Sequence, residues 1–202
     1  MITEERATEK LKPTLRQAIR SISMGLGVLM ALMLLAIPQT SQAETAAVIN
    51  RDVDNALKAL YKSTPAAKKM SEIAKGVLVF PSIIKGGFII GGQYGEGALR
   101  VGGKTTGYYR TVAASYGLQA GAQSFGYALF FLSDADLKYL KSSDGWELGV
   151  GPTIVVMDEG LSRSFSTSTA QSGVYAFFFD QKGLMAGLGI QGSKISKIQP
   201  DK

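Results

Sequence analysis

Glycine is the feature that most restricts this chain. Of its 24 glycines only Gly25 and Gly27 precede residue 44, which leaves 22 in the last 159 residues, many inside runs of β-branched and aromatic residues. Glycine weakens a strand interior unless a bend, a bulge or a close backbone approach requires it, so this many predict a strongly curved or closed sheet. Closure also removes the edges that aromatic strands would otherwise offer for aggregation.

Period-two patterning places strands at 76–80, 87–90, 108–116 and 117–132, following one another at hairpin spacing. Residues 134–141 break the series with a short helix capped by Ser133 or Asp134. Strands are predicted again at 146–150, 153–157 and 164–169, followed by a hairpin of 174–179 and 184–190 around a turn at 180–183. In the last of these Leu184, Ala186, Leu188 and Ile190 share one face and Met185, Gly187, Gly189 and Gln191 the other.

Two helices are expected ahead of the strands. In residues 45–62 Ile49, Val53, Ala56, Leu57 and Leu60 fall within one arc of about 100° at the helical period, with Arg51, Lys58 and Lys62 opposite. Thr64-Pro65 then supplies an N-cap and first-turn pair for a second helix, with Met70 and Ile73 inward, Lys68 and Lys69 outward, and Gly76 at its end. The fold class is therefore α+β and β-rich: an antiparallel, Gly-rich, curved or barrel-like sheet with N-terminal amphipathic helices packed on it.

Residues 1–43 read as an address. Lys10, Lys12, Arg16 and Arg20 precede an uncharged run at 21–37, followed by Pro38 and the small-residue site Ser41-Gln42-Ala43. Basic region, apolar region and small-residue site in that order form a secretory signal, with cleavage expected after Ala43. The alternative of a retained anchor is disfavoured because the apolar core at 24–37 is shorter than the roughly 20 residues a spanning helix needs. The expected product, 44–202, is a single domain, exported and periplasmic or secreted, peripheral to the membrane.

The chain holds no cysteine and no histidine, which excludes disulfides, thiolate chemistry, imidazole bases and the usual zinc ligands. Residues 1–43 carry 5 Lys/Arg and 3 Asp/Glu; taking these from the totals of 22 and 16 leaves 17 and 13, an excess of +4 that favours anionic partners.

Three apparent motifs dissolve on inspection. The phosphate-loop match at Ala98-Leu-Arg-Val-Gly-Gly-Lys-Thr105 needs a helix after it, whereas a strand follows, so Gly102-Gly103 reads as a β-turn. Ser82-Ile-Ile-Lys85 and Lys104-Thr-Thr-Gly107 lie too close together for the serine-lysine constellation of penicillin-recognising enzymes. Asp134, Asp136 and Asp144 lack the spacing of a calcium loop and suit caps and turns, and Asp158 and Glu159 before Gly160 read as a turn. No catalytic residue, metal ligand or cofactor is expected.

The segment Gly86-Gly-Phe-Ile-Ile-Gly-Gly-Gln-Tyr-Gly-Glu-Gly97, the pair Gly117-Leu-Gln-Ala-Gly-Ala-Gln123 and Asp134-Ala-Asp-Leu, Gly151-Pro152, and the closing Lys182-Gly-Leu-Met-Ala-Gly-Leu-Gly-Ile-Gln-Gly192 occur in an order that resembles the SYLF lipid-binding family over nearly all of 44–202. The chain departs from that family at Phe177-Phe-Phe-Asp-Gln181, where a polar, Ser/Arg-containing segment is expected. The resemblance implies a non-enzymatic module that binds anionic lipid headgroups at the cell envelope. The cations available for that role are Lys58, Lys62, Lys68, Lys69, Lys85, Arg100, Lys104 and Arg110. A protein-binding or structural envelope component is the alternative, and nucleic acid is not an expected partner.

Overall fold

The computed structural model describes residues 44–143, 145–166, 170, 173–183 and 192–201, with backbone alone at 88–89, 115–120 and 159. The described residues are α+β and strand-rich. Helices α1 (Ala46–Ser63) and α2 (Pro65–Ile73) lead into two very long strands, β1 (Gly76–Val101) and β2 (Lys104–Phe131). Helix α3 (Asp134–Ser142), strands β3 (Trp146–Glu147) and β4 (Ile154–Val156), helix α4 (Glu159–Ser164), and strands β5 (Val174–Gly183) and β6 (Lys194–Ile198) follow.

β1 and β2 pair along their whole length. A straight strand of 26 residues would span about 86 Å, far more than a domain of this size with a radius of gyration of about 15 Å can hold. The hairpin therefore bends, through register shifts between Phe80 and Ile83, Phe88 and Ile90, and Leu99 and Arg100. Gly97 shows what the bend demands: a Cβ there would sit 2.0 Å from the carbonyl oxygen of Val79, so one leg of β1 rests backbone-on-backbone against the other. Where 76–80 and 87–90, and again 108–116 and 117–132, read as separate strands, the chain runs on without a turn between them. The one tight turn of the hairpin is Gly102-Gly103, at φ +55° and +77°, conformations that glycine adopts without a Cβ clash.

On its other side β2 pairs with β6 at 108–112 and with β5 at 123–131, β3 adds to β6, and β4 adds to β5. With each bent strand counted as two legs, eight strand segments form a curled half-barrel. All pairs are antiparallel except β4 with β5, which is parallel because α4 carries the chain across between them.

Both faces of the sheet are covered, which is why 77–80 and 127–131 are apolar at every position. Leu78, Phe80, Tyr127, Leu129, Phe131 and Ala176 pack on one face with Leu137 and Leu140 of α3 and with Trp146. Val77, Val79, Ala128, Phe130, Tyr175 and Phe177 pack on the other with Ile49, Val53 and Leu60 of α1 and Met70 of α2. Each large side chain so buried stabilises the fold by about 1.5–3 kcal/mol.

Local details depart from the sequence expectations for physical reasons. α2 ends on Ala74 as C-cap and Gly76 already belongs to β1. After Glu147 the chain turns, with Trp146 Nε1 donating to the Val150 carbonyl at 2.8 Å, so the strand expected over 146–150 stops at two residues. Asp158 caps α4, its carboxylate accepting from Leu161 N at 2.7 Å, so 159–164 is helical where a turn and a strand were expected; 167–169 lie outside the described residues. β5 continues through 180–183, with Asp180 at φ 51° and Gly183 at φ 112°, in place of the expected turn, and 184–190 lie outside the described residues. Ser133 is the N-cap of α3, its hydroxyl accepting from Asp136 N at 3.1 Å. Asp144 is not among the described residues.

Candidate functional site

The amphipathic pattern of α1 fixes its orientation. Ile49, Val53 and Leu60 are fully buried on the sheet, so Lys58 and Lys62, on the opposite side of the helix, are exposed. In α2 the burial of Ala66, Ala67 and Met70 likewise leaves Lys68 and Lys69 exposed. Both helices lie on the same face of the sheet, and among the described residues none of these four lysines forms an ion pair.

Where α1 gives way to α2, a cleft of about 480 Å³ opens against α4 and β5. Its apolar wall is Met157, Phe165 and Phe177; Ser63, Thr64 and Ser162 add hydroxyls; Lys69 and Arg163 bring positive charge and Asp158 one carboxylate. The Asp158 carboxylate caps α4, and Lys69 and Arg163 stand beside the apolar wall. A second groove, of about 490 Å³, runs along the opposite flank of α1. Its charged lining residues, Asp52 and Asp180, are each paired with a neighbouring cation, Arg51 at 2.9 Å and Lys182 at 3.1 Å, so among the described residues this groove lacks the lysine and arginine that line the first.

The other expected site residues lie elsewhere. Arg100, on β1, donates through Nη2 to Asp54 Oδ1 at 2.6 Å and to the Asn50 carbonyl at 3.1 Å, and so fastens α1 to the sheet. Lys104 is exposed beside the Gly102-Gly103 turn. Arg110 is exposed on β2 between Glu96 of β1 and Ser196 of β6. Lys85 is half-buried opposite Gln123. The fold thus gathers Lys58, Lys62, Lys68 and Lys69 on the two helices and disperses Lys85, Arg100, Lys104 and Arg110.

Sequence reasoning did not single out Arg163, Met157 or Phe165. The signal for them was slight, because they converge with Lys69 across some 90 residues of chain.

Three groups inside the sheet are unusual. Thr111 Oγ1, Tyr127 Oη and Gln123 Oε1 are buried without a hydrogen-bond partner among the described residues. The Tyr127 hydroxyl lies beside Thr111 without the geometry of a bond, and its complete burial pushes its pKa well above the ordinary phenol value. No helix among the described residues is long and apolar enough to cross a membrane. Comparison of the chain with protein-family models and with curated proteins finds no match.

Proposed function

We propose that the protein is an exported, non-catalytic module that binds anionic lipid at the cell envelope. The headgroup is held by the exposed lysines of α1 and α2, and the cleft beside them takes the adjoining apolar part of the lipid. The observation that carries this reading is the joining of Lys69 and Arg163 to the wall of Met157, Phe165 and Phe177 in one cleft. An amphiphile with a negative head needs that combination, and the carboxylate-bordered groove on the other flank lacks it. The glycine segments that resemble SYLF domains, and the secretory pattern of 1–43, point the same way.

A basic side chain close to an anionic surface contributes on the order of 1 kcal/mol. Replacing Lys58, Lys62, Lys68 and Lys69 with Gln therefore lowers partitioning onto anionic vesicles by at least about tenfold, and Lys69→Gln with Arg163→Gln lowers it by a comparable factor. Undiminished binding in both folded variants contradicts the reading.

A protein partner is the second reading. It is favoured by Tyr94 and Val112, which face each other across β1 and β2 and are 42% and 36% exposed, with Ile90 at 68% on the same face. Retention of an envelope protein on the immobilised protein, lost on Tyr94→Ser with Val112→Ser, distinguishes it.

A further inference from the structure

Glu96, on β1, holds the start of the described chain. Its Oε2 accepts from the backbone nitrogen of Glu44 at 3.2 Å, and its Oε1 accepts from the Tyr94 hydroxyl. Helix α1 begins two residues later: Thr45 is the N-cap, its hydroxyl accepting from Val48 N at 3.4 Å, and the first turn contains no acidic residue. A helix N-terminus favours a nearby negative charge. Here that charge comes from another element, through Glu96.

The charged groups around this point are Glu44, Arg51 and Asp52 from the N-terminal segment and α1, Glu96 from β1 and Arg110 from β2. Arg51 is committed to Asp52 at 2.9 Å. The Glu44 carboxyl is held above its ordinary pKa by burial and by the negative charges of Asp52 and Glu96. Negative charge is in excess beside the Glu44 nitrogen.

We infer that Glu96 is the receptor for a processed N-terminus. Hydrolysis of the Ala43–Glu44 bond by an export-processing endopeptidase consumes one water, leaves Ala43 as a carboxylate and frees the Glu44 nitrogen, which takes up a proton. The amide hydrogen bond to Glu96 then becomes an ammonium–carboxylate pair without movement of either residue. Processing thereby converts a neutral tether into a charged one and adds a positive charge where the acidic groups gather. The inference rests on the export part of the proposed function and is independent of the lipid. The small-residue pattern at 41–43 and the position of Glu96 agree on the same bond, although they come from separate parts of the sequence.

The experiment expresses the full chain in an exporting bacterium, determines the intact mass of the exported protein, and follows acylation of its α-amino group against pH by mass spectrometry of the N-terminal peptide. The expected mass is that of 44–202. The expected α-amino pKa lies above the ordinary range of about 7.7–8.0, so that acylation near pH 7.5 is several-fold slower than in Glu96→Gln. Tyr94→Phe, which keeps the carboxylate but removes the hydroxyl that holds it in place, gives an intermediate rate. An N-terminus at another residue, or equal rates in the wild type and in folded Glu96→Gln, overturns the inference. Vesicle binding is read separately, so failure here leaves the lipid reading standing.

Discussion

Arg100 reaches from β1 to Asp54 on α1, Nη2 to Oδ1 at 2.6 Å, and to the carbonyl of Asn50 at 3.1 Å. The arginine side chain is only 14% exposed, so this pair is less screened than an ordinary surface salt bridge. Arg100, one of the eight cations of the expected lipid-binding set, thus fastens helix to sheet. Its Nε is buried without a hydrogen-bond partner among the described residues.

Arg100→Ala is expected to lower stability by about 1.5–3 kcal/mol, the range for hydrogen bonds involving charged groups, while vesicle binding by the folded fraction is unchanged. Urea denaturation and cosedimentation measure the two effects. A variant of unchanged stability that no longer binds vesicles would return Arg100 to the lipid site.

Gly97→Ala tests the bend in β1. The added Cβ meets the Val79 carbonyl oxygen at 2.0 Å, and backbone on both sides gives it nowhere to go. The expected loss is about 3 kcal/mol or more, at or beyond the upper end of overpacking effects. Gly102→Ala, whose Cβ would meet nothing within 4 Å but whose φ is +55°, should lose only about 1–2 kcal/mol. Thermal melts of the two variants rank them, and equal losses would show that the legs of β1 do not touch.

Tyr127→Phe removes a buried hydroxyl that has no hydrogen-bond partner. Deleting such a group should leave stability unchanged or raise it by up to about 1–2 kcal/mol, and Thr111→Val should act in the same direction. Destabilisation of more than about 1 kcal/mol in both would mean that each hydroxyl is satisfied in solution.

Tyr94 gives an alkaline signature. Burial first, then its hydrogen bond to Glu96, raise its pKa to about 12. A raised phenol favours the protonated folded state, so its contribution is intact below the unfolded value of about 10 and is lost as pH rises towards 12. Absorbance at 295 nm, wild type minus Tyr94→Phe, should titrate near that upper value, and a difference curve centred near 10 would refute the contact.

Much of the helical layer was legible because its signals are local. The spacing of Ile49, Val53 and Leu60 fixes the buried side of α1, and Ser133 caps α3 through residues three positions away. The glycines announced a curved sheet, yet the length of β1 and β2 was hidden, since a bulge at Phe80/Ile83 and a true turn look alike in sequence. β6 escaped notice because, of Lys194-Ile-Ser-Lys-Ile198, only Ile195 is fully buried. The exposed lysines of α1 and α2 followed from the same helical spacing. The cleft did not, because Lys69, Met157 and Phe177 meet only through tertiary packing.

The most direct test of the lipid reading is cosedimentation of the protein with vesicles of neutral phospholipid containing an increasing fraction of anionic phospholipid, at low and at physiological salt. The account predicts binding that rises with anionic content, weakens as salt screens the lysines, and falls at least about tenfold when Lys58, Lys62, Lys68 and Lys69 are replaced with Gln. Protein that stays in the supernatant at every composition and both salt concentrations would contradict it.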